Sequence, residues 1–229
     1  MLAVIGDIHG CIFTLKELYA KIKNDFPEAI ICSVGDLVDR GKFSLDVVEF
    51  IKDKNIKFTP GNHDYMFYHF FEQPSSIFAI NWHYNAHVTT LAAYEFEPEK
   101  VNEHVQFIKE QPLFLNLPDC FITHAGFSSV FRKALPPDFK DDLVMVNKLI
   151  YDNYHNEHGV MWNRDKLLDI GKLQVVGHTP LRNCKFDKKS NTVYIDTGAF
   201  TGNKLSCAII ENNKLITTIS VDTNHKDLY

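Results

Sequence analysis

Nowhere in this chain of 229 residues is there an apolar run long enough to span a bilayer. The opening residues, MLAVIGDIHG, lack both the basic stretch and the apolar segment of a signal peptide. A soluble, cytoplasmic protein without membrane contact is therefore expected. Basic clusters are missing too: 24 Lys and Arg stand against 29 Asp and Glu, for a net charge of −5. Non-specific attraction to a nucleic acid polymer or to anionic lipid is not expected from such a balance. The five cysteines are odd in number, scattered, and include no C-x-x-C pair, which speaks against a disulfide framework and for buried thiols in a reducing compartment. Internal repeats, low-complexity stretches and Gly/Ser linkers are absent, so one domain, residues 1–229, is expected.

What the chain has is an ordinary globular balance, 45% hydrophobic and 23% charged residues, enough to bury a core. Its first third alternates strand and helix patterns. Leu2 to Ile5 is a short apolar run ending at Gly6; Ile12, Leu15, Leu18, Tyr19 and Ile22 then recur at helical spacing. Ala29 to Val34 reads as a second strand, Ser44 to Asp53 as a helix, and Ile56 to Thr59 as a third strand. Strand, crossover helix and strand imply a parallel sheet, with sites at the carboxyl ends of its strands. A mostly helical, cap-like segment is expected at about 65–111, stopped by Pro112. Strand patterns follow at Leu113–Leu117, Cys120–Thr123, Leu173–Val176, Thr192–Ile195, Leu205–Ile210 and Leu215–Val221, with Asn212-Asn213 as a hairpin signal between the last two. Parallel strands followed by antiparallel ones point to an α/β fold, a four-layer α/β/β/α sandwich of two mixed β-sheets flanked by helices.

Five glycine-bounded turns carry the chemistry. GDIHG (Gly6–Gly10), GDLVDRG (Gly35–Gly41) and GNHD (Gly61–Asp64) each follow one of the first three strands; THAG (Thr123–Gly126) and VGHTP (Val176–Pro180) end later strand-like runs. Glycine lets the backbone bend sharply and approach a ligand, so all five turns would bring oxygen and imidazole donors to one sheet edge. One such block could be an ordinary turn with a capping Asp. Five behind five strands are not.

These blocks resemble the signature of the metal-dependent phosphoprotein phosphatases, within the broader calcineurin-like metallophosphoesterases. The match runs from Leu2 to about Ile210, and with MWNR (Met161–Arg164) and VGHTP it is most similar to the compact bacterial and phage serine/threonine phosphatase branch. The resemblance implies two divalent ions, Mn²⁺ first with Fe or Zn²⁺ as options: Asp7 and His9 on one, Asn62, His124 and His178 on the other, and Asp36 bridging both. Mixed oxygen and nitrogen donors without thiolate suit these metals, and a carboxylate can span two cations about 3.5–4 Å apart. Where many relatives have G-H-x-H, Pro180 stands in the final place, leaving the first ion fewer protein ligands. A water bridging two such ions would be acidified for in-line attack on phosphorus.

Arg40 and Arg164 are the candidates for gripping phosphate oxygens. His63 would protonate the leaving oxygen as general acid, oriented by Asp39. Cys11 lacks a surrounding Arg loop and is not an attractive nucleophile. The leading expectation is a protein serine/threonine phosphatase acting on a phosphoprotein or phosphopeptide, with no regulatory subunit identifiable. The alternative is a symmetric bis(5'-nucleosyl)-tetraphosphatase, whose second block commonly reads G-D-L-V-A-R-G; Asp39 here favours the phosphatase. A non-catalytic protein-binding scaffold is a minor reading, disfavoured because all six expected ligands are present.

Overall fold

Strand β1 (Leu2–Ile5) sets the layering through its alternation: Ala3 and Ile5 face one core cluster, Leu2 and Val4 another. In the computed structural model, which describes residues 1–85 and 87–228, the Ala3/Ile5 side packs against helices α1 (Ile12–Asp25) and α2 (Ser44–Asp53). Ala86, inside the expected helical segment, and Tyr229 lie outside the described residues. Strands β2 (Ile30–Ser33) and β3 (Lys57–Phe58) extend the sheet in parallel. Strands β9 (Lys204–Glu211) and β10 (Lys214–Asp222) close its other side antiparallel, giving the order β10-β9-β1-β2-β3. The hairpin between them turns at Asn212 and Asn213, both at positive φ (52° and 57°), as the Asn-Asn signal predicts.

The second sheet has the order β4-β5-β6-β8-β7. It is formed by β4 (Leu115–Leu117), β5 (Cys120–Ile122), β6 (Gln174–Val176), β7 (Lys185–Asp187) and β8 (Thr192–Tyr194). In β5, Cys120 and Ile122 turn toward the first sheet, while Phe121 turns outward into a cluster completed by Val146 and Ile150 of α7 (Val144–Asn153). The result is an α/β fold of two mixed sheets flanked by helices.

Two features differ from the sequence pattern, the direction of some strands and the presence of two extra elements. Strands β6 and β8, in the last third, run parallel to each other and to β5, not antiparallel as expected there. A short apolar run carries no mark of its direction; the long connections before β6 and β8 set it. Helix α7 and strand β7 were not expected, because a surface helix with two buried residues and an exposed three-residue strand leave little periodicity.

Residues 62–109 form helices α3 (Asn62–Glu72), α4 (Ile77–Trp82), α5 (His87–Ala93) and α6 (Lys100–Lys109). Met66, Phe67, Trp82, Tyr94, Val105 and Ile108 bury this segment in the core cluster that covers the outer face of the first sheet. The aromatic run Tyr65–Phe71 is thus mainly packing. No helix among the described residues is long and apolar enough to cross a membrane.

Candidate active site

All ten side chains singled out in the sequence converge at the carboxyl ends of β1, β2, β3, β5 and β6. Asp7, His9, Asp36, Arg40, Asn62, His63, Arg164 and His178 line one cavity of about 160 Å³. His124 reaches it through Asn62, its Nε2 lying 3.1 Å from Asn62 Oδ1. Asp39 stands behind His63, which donates from Nδ1 to Asp39 Oδ2 at 2.6 Å.

The backbone is bent hard to achieve this. His9, Asp36, Asp39, Arg40 and His178 all have φ between 48° and 71°. For residues with a Cβ this left-handed region costs on the order of 1–3 kcal/mol each and persists only where the surroundings impose it. Two glycines are required by proximity: a Cβ on Gly61 would stand 2.0 Å from Asp36 Oδ1, and one on Gly177 would overlap Asp7 Oδ1. Asp64 ties the turns together, accepting from Leu37 N at 2.9 Å and Gly61 N at 3.0 Å.

Proton accounting shows what the cluster is short of. His9 Nδ1 lies 2.8 Å from the Val38 carbonyl and His124 Nδ1 lies 2.9 Å from the Val34 carbonyl. A carbonyl only accepts, so both Nδ1 atoms donate and both Nε2 atoms present lone pairs inward. Burial lowers the pKa of His9 and His124, and brings His178 down to about 3, so the rings stay neutral. Beside those lone pairs lies a further acceptor: Asp36 Oδ2 is 3.5 Å from His124 Nε2 and 3.4 Å from His9 Nε2, which also accepts from Arg40 Nη1 at 3.4 Å. His178 Nδ1 lies 2.8 Å from Asn62 Oδ1 and 3.2 Å from His124 Nε2. Asp7 Oδ1 is buried with no hydrogen-bond partner among the described residues. Buried oxygen and nitrogen acceptors crowded together with few protons between them form a donor set that fits divalent cations. Two three-residue groups have ligand atoms within 4.8 Å of one another, Asp7–Asp36–His124 and His9–Asp36–His63, and Asp36 is common to both. Burial works against a charge on Asp36, but His124, His63, His9 and His178 hold its pKa well below the usual carboxylate range.

Around His63, burial opposes a charge, yet Asp36 and the Asp39 hydrogen bond outweigh it and raise the pKa. Arg40 Nη2 donates to His63 Nε2 at 3.0 Å, so a proton can sit on Nε2 only when that contact opens. The Arg40 guanidinium rests 4.0 Å above the Phe200 ring. Arg164 is exposed at the cavity rim and forms no ion pair with a described residue; Asp165, its neighbour in sequence, instead accepts from Ser128 Oγ at 2.7 Å and pairs with His158 at 2.8 Å. Cys11 is buried and its pKa is pushed far up, which keeps the thiol protonated.

Sequence reasoning missed several residues. Asp196, after β8, is buried beside Asp7, and burial raises its carboxyl to about 6. Its signal was the Asp196-Thr197-Gly198 turn, a sixth glycine-bounded acid behind a strand. Trp82 Nε1 donates to both Asp39 oxygens, at 3.1 and 2.8 Å, and Thr90 Oγ1 donates to Asp39 Oδ1 at 2.6 Å. No local pattern marks either residue. Asn85 and Trp162 also line the cavity.

Comparison with known proteins separates family from substrate. The chain is 27% identical to bis(5'-nucleosyl)-tetraphosphatase PrpE (asymmetrical) of Oceanobacillus iheyensis, over 95% of this chain and 91% of that one. It is 31% identical to the protein of the same name from Bacillus cereus, over 89% and 87% of the two chains. The crystal structure of a cold-active protein-tyrosine phosphatase from a psychrophilic Shewanella superposes with a TM-score of 0.64, covering 97% of this chain and 80% of that one. At 18% identity, that likeness shows the fold and not the substrate. The expectation of a protein serine/threonine phosphatase with a phosphoprotein substrate is overturned by the curated relatives, which are named for dinucleoside tetraphosphates. Asp39 carried that expectation, and its bonds to Trp82 and Thr90 show why it discriminates poorly: the carboxylate also anchors two helices. The model of the calcineurin-like phosphoesterases matches residues 1–214, and the chain belongs to that family of metallophosphoesterases, hydrolases of phosphoester bonds.

Proposed function

We propose that this protein hydrolyses bis(5'-nucleosyl) tetraphosphates asymmetrically, at a centre of two divalent ions. The observation that carries the reading is the shared name of curated relatives aligned along about nine tenths of both chains. Asp7, His9 and Asp36 would hold one ion, and Asp36, Asn62, His124 and His178 the other, with Mn²⁺ the first choice for a mixed oxygen–nitrogen set. Bound there, the ions supply charge that polarises a phosphoryl group and acidifies water.

The chain's own groups do the rest. Arg40, stacked on Phe200, and Arg164, at the rim, present N–H donors to phosphoryl oxygens. When Arg40 turns to the substrate, His63 Nε2 is released from it, while Asp39 keeps Nδ1–H fixed. His63 can then carry a proton toward the departing oxygen. A nucleotide leaves as a phosphate whose second pKa is about 6, so it needs that proton far less than an alkoxide does.

The test is product analysis of diadenosine tetraphosphate incubated with Mn²⁺-loaded protein, separated by chromatography. Asymmetric cleavage gives ATP and AMP, and chelation stops it. Two molecules of ADP would refute the asymmetric reading, and an intact dinucleotide beside rapid release of phosphate from a phosphoserine peptide would refute the substrate class.

A further inference from the structure

A second cavity, about 500 Å³, adjoins the metal-ligand cluster; Arg164 lines both, and Gly177, at its edge, precedes His178. The cluster cavity, about 160 Å³, is too small for a nucleoside beside a phosphate chain, whereas the second has the size of a ligand site. Its walls reverse the sign of the molecule. Arg164, Lys166, Lys185 and Lys189 line it against Asp165 and Asp187, four positive charges against two negative, in a chain of net charge −5.

The acids are already engaged: Asp165 by Ser128 and His158, Asp187 by Lys189 N at 3.0 Å and Ser190 Oγ at 3.1 Å. None of the four cations forms an ion pair with a described residue; Lys185 and Lys189 act on Asp187 only through space, and the wall keeps a net charge of two positive for a ligand. The remaining wall is apolar and aromatic: Leu167, Leu181 and the half-buried ring of Tyr194, with Lys185 Nζ 5.9 Å from the ring centroid. Cations around an aromatic and aliphatic floor match a nucleotide, whose phosphates want the first and whose base stacks on the second.

We infer that this cavity binds the nucleotide portion of the substrate that extends away from the metal centre, its phosphates along Arg164, Lys166 and Lys185 and its base against Tyr194. The inference rests on the dinucleotide reading above. It assigns substrate recognition to β7, β8 and the loop after Trp162, and reaction chemistry to the turns of the first sheet.

The test compares diadenosine tetraphosphate with p-nitrophenyl phosphate, which is too small to reach the cavity. In the double variant Lys185→Glu/Lys189→Glu, KM for the dinucleotide should rise about tenfold or more through charge repulsion, with kcat within about twofold. In Tyr194→Leu, loss of stacking should raise the same KM about fivefold or more. Both variants should turn over p-nitrophenyl phosphate within about twofold of the parent, which also shows that they fold. An unchanged KM for the dinucleotide in both variants, or equal losses on both substrates, overturns the inference. A parent protein that cleaves p-nitrophenyl phosphate but not the dinucleotide overturns the proposed function, and this inference with it.

Discussion

His63 is held from two sides at once, by Asp39 at 2.6 Å on Nδ1 and by Arg40 at 3.0 Å on Nε2. That geometry makes its contribution depend on what leaves. An alkoxide must be protonated as the bond breaks, and general acid catalysis typically supplies 10²–10⁴-fold, roughly; a nucleotide can depart as an anion. His63→Asn is therefore expected to lower kcat on a simple alkyl phosphate about a hundredfold or more, and on diadenosine tetraphosphate about tenfold or less. Steady-state rates on both substrates check this, and equal losses would remove His63 from the proton-transfer step. At this scale the sequence is legible where a donor sits in a glycine-bounded turn behind a strand. The motif positions Asp7, His9, Asp36, Asn62, His124 and His178 are all drawn together. It is not legible where a side chain reaches the site from a helix interior.

Helices α4 and α5 illustrate that second case. Each contributes one polar side chain, Trp82 and Thr90, to the buried carboxylate of Asp39, across 43 and 51 residues of sequence. Burial raises the Asp39 pKa, and the hydrogen bonds from His63, Thr90 and Trp82 act in the opposite sense. Thr90 also accepts from the Asp39 backbone N–H at 2.9 Å. Thr90→Val keeps nearly the same volume and removes both bonds together with the 3.1 Å contact to Ser44 Oγ, so a loss of about 2 kcal/mol is expected, chiefly for the hydrogen bond to a buried charged group. For a chain of this size that corresponds to a fall in Tm of about 4–8 °C. Calorimetry reads it directly, and an unchanged Tm would show that the tie is idle. The elements themselves were readable from period and punctuation: α2 spans Ser44–Asp53 as the pattern indicates, and β1 spans Leu2–Ile5. What the pattern lacks is partner information. Thr90 sits in a helix of only seven residues, and its neighbours in space are not its neighbours in the chain.

Across the whole molecule, the cluster couples stability to cations and to protons together. Burial, then the charges of Asp196 and Asp36, raise the Asp7 pKa well above the ordinary value, so Asp7 keeps its proton at pH values where an exposed Asp has lost it. That proton must leave before Asp7 can hold a divalent ion, so affinity for the ion rises with pH. The histidines work in the opposite sense to Asp7, because burial lowers the pKa of His9, His124 and His178 and favours their neutral, metal-binding form. A ligand bound only by the folded state stabilises it in proportion to the logarithm of affinity. The gain in Tm on adding Mn²⁺ is thus expected to be several degrees larger at about pH 8 than at about pH 5.5. Scanning calorimetry at the two pH values decides it; equal gains would place the cation away from Asp7.

The chain has two tryptophans, and both border this centre: Trp82 through its bond to Asp39, Trp162 as part of the cavity wall with its Nε1 unpaired. Tryptophan emission from the folded protein therefore originates from the rear and the flank of one chamber, so the molecule carries its own optical gauge of that chamber's occupancy with no dye attached.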